Sequence, residues 1–261
     1  MSAIAASKQQ ALDAALERRL ERLGRRSARW RRLTLEAGVA LIALVVIASA
    51  IGHFVYPDPN DQQLTEALLA PSAAHPFGTD NLGRDVLART LAGTWIDLAV
   101  ALGSTYVALA LGVVAGTVAA YLRGWPERIL MRLIDVIIAF PFMVLVIAIV
   151  AIVGPGVKGV FIGLAIGGWA YYARLARAEM LVLTEKSYVQ AAQTLGYSHW
   201  RVIWRHAIPN LIRAPLVYSM SDIVLNITWV ASLSFLGLGV QPPTPEWGSI
   251  IADGQPYLLT A

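Results

Sequence analysis

The chain has 261 residues, of which 57% are hydrophobic and only 15% charged, with a positive mean hydropathy. A soluble domain carries about 25% charged residues, so the composition excludes an ordinary soluble globule and points to an integral membrane protein. The net charge of +4 is no sign of nucleic acid, because topology places the basic residues, and the lack of cysteine excludes disulfides, thiol catalysis and cysteine-based metal sites.

Residues 1–33 read as a soluble tail, with a short helix from Ala11 to Leu23 and an arginine-dense stretch from Arg18 to Arg32 suited to anionic head groups. The apolar run from Ala37 to Tyr56 has 20 residues. A spanning helix needs about 20, whereas a signal-peptide core has roughly 7–15. It therefore reads as an uncleaved span, although Ala48-Ser49-Ala50 resembles a cleavage site. Pro57 to Leu91 is the longest polar connection, where Asp80 is expected to cap a helix starting at Asn81, with Arg84 and Asp85 on its exposed side. His75 stands alone there and reads as structural.

Four further apolar runs follow: Ala92–Leu122, Ile129–Val153, Val157–Leu183 and Pro215–Val240. The segment Gln241–Ala261 is too polar and irregular to span, which gives five spans in all. With the N-terminus inside, segments 1–33, 123–132 and 174–213 hold 18 of the 21 basic residues, the cytoplasmic excess expected of such loops.

A polar, basic island from Ser187 to Asn210, SYVQAAQTLGYSHWRVIWRHAIPN, lies between the last two spans. Ser187 with Gln190 has the spacing of a capping box, Gly196 suits a left-handed helix end, and Ser198 can cap a second short helix. Trp200, Ile203, Trp204 and Ala207 recur at helical spacing as one apolar face, Arg201 and Arg205 lie beside it, and Pro209 is expected to stop the helix. Ala191 and Ala192 expose little side chain, so a partner can approach the backbone. A structured polar island between spans reads as a docking surface.

Within the spans, Gly112–Gly116 and Gly163–Gly167 are small-residue pairs that permit close helix contact. Among the acids at membrane depth, Glu36 lies near Arg32, Asp135 near Arg132, and Glu179 near Arg174 and Arg177. Asp97 and Asp222 have no evident local partner, and Asp222 with Asn226 one turn on is a candidate for lining a polar passage. No phosphate-binding loop, H-E-x-x-H or G-x-S-x-G occurs, so neither ATP binding by that route nor a membrane hydrolase finds support.

The island resembles the cytoplasmic "EAA" loop of importer-type ABC transporter permeases, E-A-A-x3-G-x9-I-x-L-P. Gln190-Ala191-Ala192 and Gly196 match its first part, and His206-Ala207-Ile208-Pro209 its second. Gln190 replaces the Glu and His206 the Ile. HPFGTDNLGRDVLAR, RLIDVIIAFP and LSFLGLGVQPPTPEWG resemble the C-type permease subunit of the dipeptide/oligopeptide/nickel importers, and the likeness covers roughly residues 75–261.

The resemblance implies an all-α polytopic bundle of the type I importer permease fold, in the bacterial inner membrane with its N-terminus cytoplasmic. It divides the chain into a tail (1–33), a first span with its outer connection (34–91) and a permease core (92–261) bearing the coupling loop 187–210. It implies a subunit that is not itself an enzyme and carries no cofactor, ATP and magnesium being bound by two cytoplasmic ATPase subunits. The other implied partners are a second homologous permease, an extracytoplasmic binding protein, a peptide substrate and the lipid bilayer. By position, Gln190, Ala191, Ala192 and Gly196 would contact the ATPase or shape that contact, with Arg201 and Arg205 on the same loop and Pro209 turning the chain back. Such permeases have a sixth span after a segment like ADGQPYLLTA, where this sequence stops, so a truncated form is expected. The alternative is an ion-coupled secondary transporter using Asp97 and Asp222; no internal inverted repeat of the kind that would favour it is evident.

Overall fold

Nearly every apolar run becomes a helix, and among the described residues of this computed structural model no β-strand forms, only an isolated bridge between Thr79 and Asp85. Residues 32–56 and 58–257 are described; most of the N-terminal tail, including the helix expected at Ala11–Leu23, lies outside them. The chain divides into two compact units, residues 1–51 and 52–261. The first consists, over its described residues, of helix α1, which runs on to cover Arg32–Val55 and has a mean hydropathy of 2.4. Arg32 donates to Glu36 at 2.8 Å, the local pairing expected from the sequence.

The second unit is built on α2 (Val86–Leu122), whose 37 residues reach about 55 Å at 1.5 Å each, well beyond the roughly 30 Å of a bilayer core. Its cap is Asp85, not Asp80: Asp85 accepts from the Ala88 N–H at 2.8 Å. Asp80 instead folds the preceding loop, accepting from the N–H groups of Leu82 and Arg84 and from the Arg84 guanidinium at 2.6 Å. Arg84, expected on an exposed side, is buried and also reaches Asp253 at 3.3 Å. His75 bonds Asp85 at 2.8 Å and so steadies the cap.

Arg123 and Gly124, both at positive φ, turn the chain from α2 into α3 (Gly124–Ala139). The single span expected over Ile129–Val153 is two helices, α3 and α4 (Phe142–Val153), bent by 97°. Pro141 is the cause: it removes a helical donor and pushes Phe140 into an extended conformation, ψ 140°. α5 (Val157–Thr184) follows after the glycine turn at Gly154 and Gly156.

α5 is the middle of the unit. Its glycines 159, 163 and 167 face α4, where an added Cβ would press on Val150, Val146 and Phe142 or on the Gly154 carbonyl. On its other side, a Cβ on Gly112 or Gly116 of α2 would fall inside the α5 backbone between Trp169 and Ala173. α2 and α5 form the most extensively packed helix pair. Arg174 pairs with Asp135 and Arg177 with Glu127, each at 2.7 Å, so both arginines tie α5 to α3. The Asp135–Arg132 pairing expected along one helix gives way to this link between helices.

Short helices α6 (Ser187–Thr194), α7 (His199–Arg201) and α8 (Ile208–Leu211) lead to α9 (Arg213–Phe235). α9 ends five residues before the expected Val240, and the segment after it contains α10 (Trp247–Gly254), packed on α9 and α2. By length and apolarity three described helices (α1, α2 and α9) can cross a membrane, and α3 with α4 makes a fourth if the bent pair is one span. α5, the remaining expected span, has 28 residues but is less apolar, since glycine, alanine and arginine replace the large apolar side chains that lipid-facing helices carry.

Gly116→Leu is expected to destabilise the unit by about 1–3 kcal/mol through overpacking against α5, lowering the thermal midpoint of the purified chain. Gly254→Ala, with nothing within 4 Å of the added carbon, should leave it unchanged.

Candidate functional site

The segment after α5 has one face seated on the bundle and one face open. Val189 and Ala192 of α6 and Val202 are buried together, covered by Leu183 of α5 and Tyr121 of α2. Helix α6 closes with Gly196 at φ +75°, as its sequence requires, and the Tyr197 N–H reaches back to the Ala192 carbonyl at 3.1 Å. Ser198 caps the next helix by accepting from the Arg201 N–H at 3.4 Å. The cap expected of Ser187 does not form: Lys186 holds that position, with no side-chain bond, and Ser187 is already helical.

Beyond Arg201 the helix widens into a π-helical stretch, Val202–Ala207, and then tightens again through Pro209. Pro209 therefore does not stop the helix. Its ring would clash with the carbonyl four residues earlier in a regular α-helix, and the wider turn just before it relieves that crowding. The widening also splits the expected apolar face. Ile203 and Ala207 are buried, Ala207 in a cluster with Leu211, Val113, Tyr172 and Met180, whereas Trp200 and Trp204 are 62% and 52% exposed.

The open face carries Tyr188, Gln190, Ala191, Leu195 (73% exposed), Trp200 and Trp204. Arg201 lies over the Tyr197 ring, 5.0 Å from its centroid, and Tyr197 stacks on His206 at 5.9 Å. The Tyr121 ring of α2 packs beneath the loop, and its hydroxyl makes only long contacts among the described residues, to Gln193 Nε2 at 3.4 Å and His199 Nδ1 at 3.3 Å.

A second polar constellation lies deeper. The Tyr172 hydroxyl of α5 donates to Asp222 Oδ2 at 2.7 Å. Asn226 donates to Thr105 Oγ1 of α2 at 2.7 Å and, more weakly, to Asp222 at 3.5 Å. Three helices thus share one polar tie. Toward the opposite end, fully buried Asp97 accepts from the Trp247 N–H at 3.2 Å, beside fully buried Glu246, which caps α10 through the N–H groups of Gly248 and Ser249.

Residues 108–261 match the family model described as a binding-protein-dependent transport system inner membrane component. The chain is 37% identical over 238 residues to the glutathione transport system permease protein GsiD of Pectobacterium atrosepticum, covering 89% of this chain and 79% of that protein. It is 36% identical over 246 residues to GsiD of Escherichia coli O157:H7, covering 89% and 78%. The chain belongs to this family. It is a permease subunit of an ABC importer in the inner membrane, and hydrolysis of ATP falls to partner subunits. In fold it is similar to a chain of the inward-facing MetNI methionine ABC transporter, with a TM-score of 0.55 at 16% identity, covering 66% of this chain and 83% of that one.

In the permease, Gln190, Ala191, Gly196, Arg201, Arg205 and Pro209 are all exposed, while Ala192 faces inward and packs α6 against Val202. Asn226 is buried and Asp222 half-buried, both in the polar tie. The residues not singled out in the sequence are the ones that hold these in place: Tyr121, Thr105, Tyr172 and Glu246. A signal existed for one neighbour, since Tyr218, Asp222, Leu225 and Trp229 recur at i, i+4, i+7 and i+11 on one face of α9.

Tyr121→Ala should cost about 2 kcal/mol by opening the cluster under α6 and speed hydrogen exchange across residues 187–202. Tyr121→Phe keeps the packing and should leave exchange close to that of the parent.

Proposed function

We propose that this permease carries small peptides, dipeptides or short oligopeptides, inward by alternating access, driven by two cytoplasmic ATPase subunits that dock on residues 187–210. The observation that carries the reading is the loop's two-sidedness: an exposed apolar and aromatic tip on a buried seat continuous with the bundle. Gln190, Ala191, Gly196, Arg201 and Arg205 offer the contact, and Ala192 and Pro209 shape it. Two exposed arginines suit an acidic rim on the ATPase groove, and Gln190 in place of Glu removes one negative charge from that contact. The peptide class is supported by relatives named for glutathione transport, glutathione being a tripeptide.

The remaining assembly follows the family pattern: a second homologous permease beside this one and an extracytoplasmic binding protein that delivers substrate. ATP and magnesium belong to the ATPases. The N-terminus lies in the cytoplasm, residues 1–33 form the tail, 34–91 the first span and outer connection, and 92–261 the core. A ligand shifts such an equilibrium only by its differential affinity for the two states, so the strong binding sits in the external protein and in ATP, and the passage around Asp222 and Asn226 binds weakly.

Gly196→Asp tests the docking. Nothing lies within 4 Å of the added carbon, so the cost to folding is only the left-handed strain, about 1 kcal/mol. ATP-coupled uptake should nevertheless fall at least about tenfold with the chain still in the membrane, a charge having entered the contact; uptake at the parent rate would sink the idea. Orientation is tested in the cysteine-free chain: a membrane-impermeant thiol reagent should label Gln62→Cys in intact cells and Gln190→Cys only after permeabilisation. Labelling of Gln190→Cys in intact cells would reverse the topology.

A further inference from the structure

Between α4, α5 and α9 lies a cavity of about 210 Å³ whose wall holds four aromatic side chains, Phe142, Tyr171, Tyr218 and Trp229, and a single charged one, Asp222. The Phe142 ring centroid is 5.6 Å from that of Trp229 and 6.3 Å from that of Tyr171. Asp222 sits nine residues into α9, about 14 Å from its start, so the carboxylate lies near mid-span.

Three acids of the neighbouring segments have cations within the protein, whereas fully buried Asp97 of α2 meets the Trp247 N–H instead. Glu127 meets Arg177, Asp135 meets Arg174 and Glu185 meets Arg123. Asp222 has none among the described residues. Arg174, which lines the adjoining cavity with Tyr171 and Tyr218, is held by Asp135 at 2.7 Å. Both bonds that Asp222 accepts, from Tyr172 and Asn226, fall on Oδ2, and no described donor reaches Oδ1. Two neutral donors orient the carboxyl group and supply no positive charge, so ionising it at this depth is costly unless a cation arrives.

We propose that this cavity binds a primary ammonium group, the protonated amino terminus of a peptide in transit. The proposal rests on the importer reading above and names what its passage recognises. The ammonium supplies the missing cation to Asp222 Oδ1, and the aromatic side chains around it add the attraction that π-systems offer a cation. Leu225 completes an apolar wall for the stem that carries the nitrogen. A cavity of 210 Å³ takes an amino terminus with its first residue, not a whole oligopeptide.

The test uses the assembled transporter in nanodiscs, without the binding protein, and follows the tryptophan fluorescence assigned to Trp229 by difference from Trp229→Phe. Alanyl-alanine and n-butylamine should quench it saturably, and N-acetyl-alanyl-alanine should not. Asp222→Asn, eluting as an intact complex, should weaken both responses about tenfold or more, the loss of one buried charge pair. Absence of quenching by either amine, equal quenching by the acetylated peptide, or unchanged affinity in Asp222→Asn would overturn the site. Should the site fail while Gly196→Asp still abolishes uptake, the coupling reading survives without it; normal uptake by Gly196→Asp removes that reading whatever the amines do.

Discussion

The close approach of α5 to its neighbours is the constraint on which the rest of the unit depends. α5 can lie between α2 and α4 only because glycine replaces larger residues along both contacts, Gly112 and Gly116 on the α2 side and Gly159, Gly163 and Gly167 on the α4 side. In lipid there is little hydrophobic drive to bring helices together, so backbone-to-backbone packing of this kind supplies much of the cohesion. The choice has a visible cost in apolarity. α5 reads as the weakest of the spans because the residues that let it pack are small, and because its last turns carry Arg174 and Arg177 to reach α3.

Position in the middle makes α5 the natural route between the loop and the interior. Its end leads through Leu183 into the cluster beneath α6, and Tyr172 and Met180 share a second cluster with Ala207 and Leu211. Tyr172 then reaches Asp222 through its hydroxyl at 2.7 Å. Two buried clusters therefore link the loop to the polar tie at mid-span. Interiors packed in this way respond by discrete rearrangement rather than by gradual yielding, which is what a two-state passage needs.

The sequence carried the large features and missed those set by tertiary competition. Apolar run length placed the ends of α1, α2, α5 and α9 to within six residues, and Gly196 and Ser198 were legible because each meets a local backbone demand. Asp80 and Asp85 are five residues apart and both are plausible caps. His75, ten residues earlier in the same folded connection, bonds Asp85, and that choice no capping rule decides. Ser187 illustrates the same limit, a good capping residue left one place inside the helix it was expected to start. The break at Phe140-Pro141 lies inside the apolar run 129–153, where run length alone gives one span. The loop was readable as a polar, basic island, whereas the burial of Ala192 depends on how α6 seats on Leu183 and Tyr121, and the exposure of Trp204 on the π-helical stretch, for which the sequence offers no signal beyond Pro209.

Charge in this bundle does two separable jobs. At the end near α3, arginines of α5 meet acids of another helix at hydrogen-bonding distance, so the charges cancel locally and fix helix against helix. At mid-span the arrangement is different: neutral groups from α2, α5 and α9 orient Asp222 and Asn226, and no described residue supplies a cation. A purely structural tie between three helices would be cheaper with a second amide or hydroxyl in place of the carboxylate, since that group carries no desolvated charge. Unlike the fully buried Asp97 and Glu246, whose partners are backbone N–H groups, half-buried Asp222 borders a cavity, where a balancing charge can arrive from outside and leave again. That requirement also limits how tightly it binds, because a passage that holds its cargo firmly in one state cannot release it in the next.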